Sequence, residues 1–189
     1  MSVVSGITAD GVRFQNYSML PEYRFEPGDT TIGVFCHEFG HVLGLLDLYD
    51  TTYLTSGVGD WSLMASGSWN GPDENGAVPA PLLAWERNEL GWMTGISTAS
   101  TSSSNTVADI NTSFTAVKVP LHTETEPGLT QYSQYLLVEN IVRTDGTWAQ
   151  YLPAAGLLIT KIDERWIDYT DWSNTLNGKK YGISGYYWV

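Results

Sequence analysis

The chain has 189 residues, 42% of them hydrophobic, enough for one large domain or two small ones with a real core. Its formal net charge of -12, from 21 acidic and 9 basic residues, repels phosphate backbones and argues against nucleic acid as a partner. No apolar run approaches the roughly 20 residues of a membrane-spanning helix, and a single cysteine, Cys36, excludes an internal disulfide.

Residues 1–28 predict short strands and turns, with Pro21, Pro27 and Gly28 as breakers. The opening "MSVVSGITADG" has no basic or long apolar leader region, which leaves a cytoplasmic protein or a targeting segment upstream. Asp29 or Thr30 can cap a helix over about Thr31–Leu43. Ile32, Phe35, Phe39, Val42 and Leu43 recur at helical spacing along it and predict a buried face. Gly44 suits the left-handed position that ends a helix.

Residues 45–77, rich in Gly, Asp, Ser and Trp, read as an ordered functional loop. A second helix is expected over Pro79–Leu90, with prolines in its first turn and Gly91 as its stop. "STASTSSSNT", residues 97–106, reads as a surface loop or linker. Beyond it "TAVKVPL", "QYLLVENIV" and "GLLITKID" predict strands. The aromatic end, "WIDYTDWSNTLNGKKYGISGYYWV", has no clean period. The expected class is α+β, helices around a loop-rich centre and then a β-rich part. The expected division is a catalytic region over 1–96, a Ser/Thr-rich linker over 97–106, and a β-rich segment over 107–189.

The chemistry concentrates in "VFCHEFGHVLGLLDLYD", residues 34–50. His37 and His41, at i and i+4, project from one face of the first helix and can share a metal. Glu38 follows the first histidine, where a carboxylate reaches a metal-activated water rather than the metal. This is the H-E-x-x-H arrangement of zinc proteases. The longer string H-E-x-x-H-x-x-G-x-x-D offers Asp47 as a third ligand once Gly44 turns the chain back. Asp50 is the rival third ligand and His122 a more distant one; His122 sits in the turn-like "PLHTETEPG" and reads as a surface residue. Met64, in "WSLMASGSW", is placed to form the apolar floor under the histidines that metzincin-type proteases build from a methionine turn. Cys36 adjoins His37, but consecutive helix positions do not face each other, so it reads as packing rather than as a nucleophile.

These segments resemble the immune inhibitor A-like secreted bacterial metalloproteases. "GVFCHEFGHVLGLLDLYD" is similar to that family's active-site helix, "GDWSLMASGSWNGP" to its methionine turn, and "PLLAWERNELGWM" to its following helix. "YLLVENIV" and "GLLITKIDE" are similar to its later strands. The resemblance implies a secreted zinc endopeptidase with a metzincin-like core, acting on proteins or peptides, often with calcium as a structural ion. It implies His37, His41 and Asp47 as zinc ligands, Glu38 as general base on a zinc-bound water, and Met64 as the turn methionine. Such proteases place a sheet and helix ahead of the zinc helix, whereas only 36 residues precede His37, so the chain is expected to be part of a larger catalytic domain. The alternative is a non-catalytic metal-binding or surface-binding module derived from such a protease. The presence of Glu38 argues against it, because a pure metal scaffold needs no carboxylate there.

Overall fold

A computed structural model of the chain describes residues 2–50, 55–100, 102, 104–124, 132–164 and 167. Strands β1 (Ser2–Ala9) and β2 (Val12–Tyr17) pair antiparallel across an Asp10-Gly11 turn. Both turn residues have positive φ, the backbone that matches the twist of a two-stranded hairpin.

Helix α1 runs Ile32–Val42. Its start is set by tertiary bonds rather than by a side-chain cap. Thr31 occupies the cap position, yet its hydroxyl donates to the Asn75 carbonyl. Asp29 instead accepts the N–H groups of Arg24, Phe25 and Glu26 and closes the preceding turn. The helix ends where Gly44 takes φ +101, and the Leu45 N–H reaches back to the Gly40 carbonyl.

The apolar face expected to be buried is turned outward. Ile32, Phe35, Phe39, Val42 and Leu43 are 40–59% exposed. The packed face carries Gly33 and Gly40 instead. Missing side chains let the helix backbone come against the Ser68 carbonyl and the Met64 sulfur, closer than any larger residue allows. Close approach at two glycines therefore decided the orientation, and the apolar periodicity did not.

The loop after α1 is ordered by three short 3-10 turns, Gly59–Trp61, Ser66–Trp69 and Pro72–Glu74. Helix α2 covers only Ala84–Glu89, shorter than expected. Residues before a proline are pushed towards extended backbone. Pro79 and Pro81 thus push Val78 and Ala80 towards extended backbone, Ala80 N–H bonds to the Gly67 carbonyl, and the extended Leu83 stands at the cap.

Strands β3 (Gly95–Thr98), β4 (Thr115–Glu124), β5 (Tyr132–Ile141) and β6 (Gly156–Asp163) form one sheet in chain order. β3 lies parallel to β4, and the other pairs are antiparallel. The Ser/Thr-rich stretch thus begins inside a strand. Along β5, Tyr135, Leu137, Glu139 and Ile141 face inward with the period of two that a half-buried strand requires. Tyr135, Leu137 and Ile141 join Leu45, Leu48, Met64, Leu83, Trp85 and Ile162 in one hydrophobic cluster that runs from the loop behind α1 to the sheet. The aromatic C-terminal stretch, apart from Ile167, lies outside the described residues.

Candidate metal centre

Helix α1 presents His37 and His41 one turn apart, with ring centroids 4.8 Å apart and planes nearly perpendicular. The turn at Gly44 brings Asp47 back to both. His37 Nε2 lies 3.0 Å and His41 Nε2 3.1 Å from the same oxygen, Asp47 Oδ1. The three ligand atoms lie within 4.8 Å of one another. All three side chains are largely shielded, at 12%, 13% and 9% exposure.

The opposite ring nitrogens fix the tautomers. His37 Nδ1 is 2.9 Å from the Leu63 carbonyl, and His41 Nδ1 is 2.9 Å from the Leu45 carbonyl. A carbonyl accepts only, so each Nδ1 carries a proton, and in the neutral ring each Nε2 presents a lone pair. Two lone pairs and a carboxylate oxygen then meet at short range. A donor set of two imidazole nitrogens and one carboxylate oxygen fits a divalent metal cation, which His37, His41 and Asp47 would hold. Among the described residues no other group of three or more His, Cys, Asp or Glu side chains gathers in this way.

Electrostatics follow the same geometry. With no ion bound, burial would raise the Asp47 carboxyl, but protonated His37 and His41, each turning Nε2–H towards it, outweigh burial and hold it well below the usual carboxylate range. Burial would lower His37, yet Asp47, the Leu63 carbonyl and the Glu38 charge together raise it. Glu38 stands outside the three-residue group, half-buried, with its charge felt at His37.

Met64 is fully buried, and its sulfur lies against α1 at Gly40, between the two histidine positions. Asp50 is buried but apart from the group; its Oδ2 accepts the Thr55 N–H and hydroxyl. His122 belongs to β4, in register with Gln134, and its side chain is outside those described. Cys36 is half-buried, and burial raises its thiol, so it is poorly suited to act as a thiolate.

A cavity of about 480 Å³ opens beside His37, lined among others by Val34, Tyr49, Asp50, Ser66 and Trp69. Tyr49 stacks near His37, with centroids 6.4 Å apart. Sequence reasoning assigned no role to Tyr49 or Trp69, because an aromatic letter does not tell a cleft wall from a core. It also missed the two carbonyls that orient the histidines, since a backbone acceptor has no letter at all.

Residues 2–93 match the model of the immune inhibitor A peptidase M6 catalytic domain. A pre-pro-metalloprotease, PrtV, of Vibrio cholerae serotype O1 is 41% identical over 80 residues, covering 41% of this chain and 9% of that protein. Immune inhibitor A of Bacillus thuringiensis subsp. alesti is 48% identical over 52 residues, 26% of this chain and 8% of that protein. The matched stretches thus span about a tenth of the length of these curated relatives. No solved structure matches the chain.

Proposed function

We propose, from the premise that residues 2–93 belong to the immune inhibitor A peptidase M6 family, that this chain carries the metal centre of a zinc endopeptidase. The observation that carries the reading is the convergence of His37 Nε2, His41 Nε2 and Asp47 Oδ1 with both Nδ1 atoms committed to backbone carbonyls. His37, His41 and Asp47 would hold the ion. Zinc, when bound, supplies Lewis-acid polarisation of a peptide carbonyl and eases deprotonation of water near neutral pH.

The rest falls to the chain. Glu38, outside the ligand set, takes the proton of the attacking water and returns it to the leaving amine. The cavity beside His37, with Tyr49 and Trp69 on its wall, receives a side chain of the peptide. The Met64 thioether forms an apolar floor that keeps the histidine face of α1 in place. Residues 1–96 supply the centre and 107–189 a β-rich support. Secretion fits a relative whose name records a pre-pro form. No described helix is long and apolar enough to cross a membrane.

Glu38→Gln tests the reading, because it keeps size and ligands while removing the base. Zinc should bind with unchanged stoichiometry, and hydrolysis of unfolded protein should fall roughly 10²-fold or more. Equal cleavage by both proteins would dismiss Glu38 as base. Zinc binding without any cleavage by the parent would favour a metal-binding module instead.

A further inference from the structure

Helix α2 carries a buried carboxylate that the proposed reaction does not use. Glu86, on α2, is 0% exposed. Its Oε1 and Oε2 lie 2.7 and 2.8 Å from the Ser62 Oγ, and Oε2 also accepts the Leu83 N–H at 2.6 Å. The Ser62 oxygen is in turn 2.9 Å from the Met64 N–H. A hydroxyl has one proton and two lone pairs. An ionised carboxylate cannot donate, so it takes that proton and leaves a lone pair of Ser62 facing Met64. The Met64 N–H can only donate, so Ser62 always accepts from it; what Glu86 fixes is the orientation of the Ser62 hydroxyl and thus the place of the oxygen that Met64 bonds.

Between Ser62 and Met64 stands Leu63, whose carbonyl accepts from His37 Nδ1. On the far side, the Met64 carbonyl accepts the Leu48 N–H at 2.7 Å, one residue after Asp47. The short turn 62–64 thus holds three things at once: the tautomer of His37, the floor under Gly40, and the backbone next to Asp47.

We propose that Glu86 is a positioning residue of the metal centre: acting through Ser62, it locks the turn 62–64 so that the Leu63 carbonyl keeps His37 in its Nδ1–H tautomer with Nε2 free for metal. The inference rests on the metal-centre reading for its purpose, but its geometry can be tested without metal.

The experiment compares the full chain with Glu86→Gln and Ser62→Ala at pH 8, above the value of about 7 to which burial raises the Glu86 carboxyl. Imidazole nitrogen NMR of the metal-free proteins reads the His37 tautomer, and competition with a chelating dye reads zinc affinity. The parent should show a single Nδ1–H tautomer. Both variants should show a mixture and a zinc affinity about 10- to 100-fold lower, the usual cost of losing an outer-sphere partner of a ligand. The double variant should lose no more than the worse single one, because both cut one relay.

If either folded variant melts at lower temperature but keeps the parent's tautomer and its zinc affinity within about twofold, Glu86 is only structural and the proposal is wrong. If Glu86→Gln does not fold, Ser62→Ala decides alone, since it spares the Glu86–Leu83 bond. A parent that binds no zinc would remove the metal-centre reading, while the tautomer comparison would still decide the relay.

Discussion

At the scale of single residues, two glycines of α1 give a test of why the helix lies as it does. A Cβ on Gly33 would stand 1.8 Å from the Ser68 carbonyl oxygen, and one on Gly40 would stand 2.4 Å from the Met64 sulfur. Alanine gains about 1 kcal/mol of helix propensity over glycine, while overpacking costs about 1–3 kcal/mol. The clash wins at both positions, and more heavily at Gly33, where rigid backbone rather than a side-chain end must move. Urea unfolding should give a net loss of up to about 2 kcal/mol for Gly40→Ala and a larger one for Gly33→Ala. A Gly33→Ala protein as stable as the parent would show that this helix face is not packed as described.

Glu86 gives a pH test at the same scale. Its carboxyl is raised from 4.5 to about 7, by burial first, and Glu139 adds repulsion while Leu83, Ser62 and Arg87 pull the other way. A raised pKa means the folded state prefers the protonated form. The contribution is therefore complete below about 4.5 and lost as pH climbs through 7, on the order of 3 kcal/mol. Glu86→Gln should flatten the stability profile between pH 5 and 8; an unchanged slope would assign the dependence elsewhere. The grouping of His37, His41 and Asp47 was legible in the sequence because its chemistry is in the side chains and their spacing. Glu86 was not, because nothing in "AWERNEL" distinguishes a buried carboxylate from a solvated one.

At the scale of elements, α2 is held by carboxylates at its start. Leu83 N–H goes to Glu86, and Ala84 N–H goes to Glu139 Oε2 at 2.8 Å, so two of the orphan donors of the first turn are satisfied in the core. Arg87 bridges from α2 to the Glu139 carboxylate on β5 and to the Leu82 carbonyl, with Arg87 and Glu139 at 2% and 1% exposure. Arg87→Met would leave the Glu139 charge buried without its cation. That should cost about 3–5 kcal/mol, whereas Arg87→Met with Glu139→Leu should recover a large part of it. Thermal unfolding of the single and double variants measures both. If the double variant is as unstable as Arg87→Met, the Ala84 cap rather than the charge pair holds the helix.

Elements were readable where local pattern and tertiary demand agree. β6 occupies the Gly156–Asp163 stretch read from its β-branched run, and α1 lies within the expected span. They were misread where a distant contact decides: the exposed apolar face of α1, the late start of α2 after Pro81, and the strand inside the Ser/Thr-rich stretch.

For the molecule as a whole, the contacts form one line from the His37–His41–Asp47 group to the sheet. His37 leans on Leu63, the turn 62–64 on Ser62 and Glu86, α2 on Glu139, and β5 carries Glu139 among Leu137 and Ile141 in the shared core. A ligand that binds only the folded form adds about 2.7 kcal/mol at 100 times its dissociation constant. For a chain of this size that corresponds to a rise in melting temperature of roughly 5–11 °C. If the line is mechanically continuous, zinc should shift a single cooperative transition and raise amide protection at Leu137 and Ile141 on β5 as well as along α1. Asp47→Ala should abolish both effects, since it removes one of the three proposed ligands. Calorimetry with two transitions, only one of them moved by zinc, would mean that the sheet and the metal centre unfold as separate units, and the support assigned to residues 107–189 would then be lost.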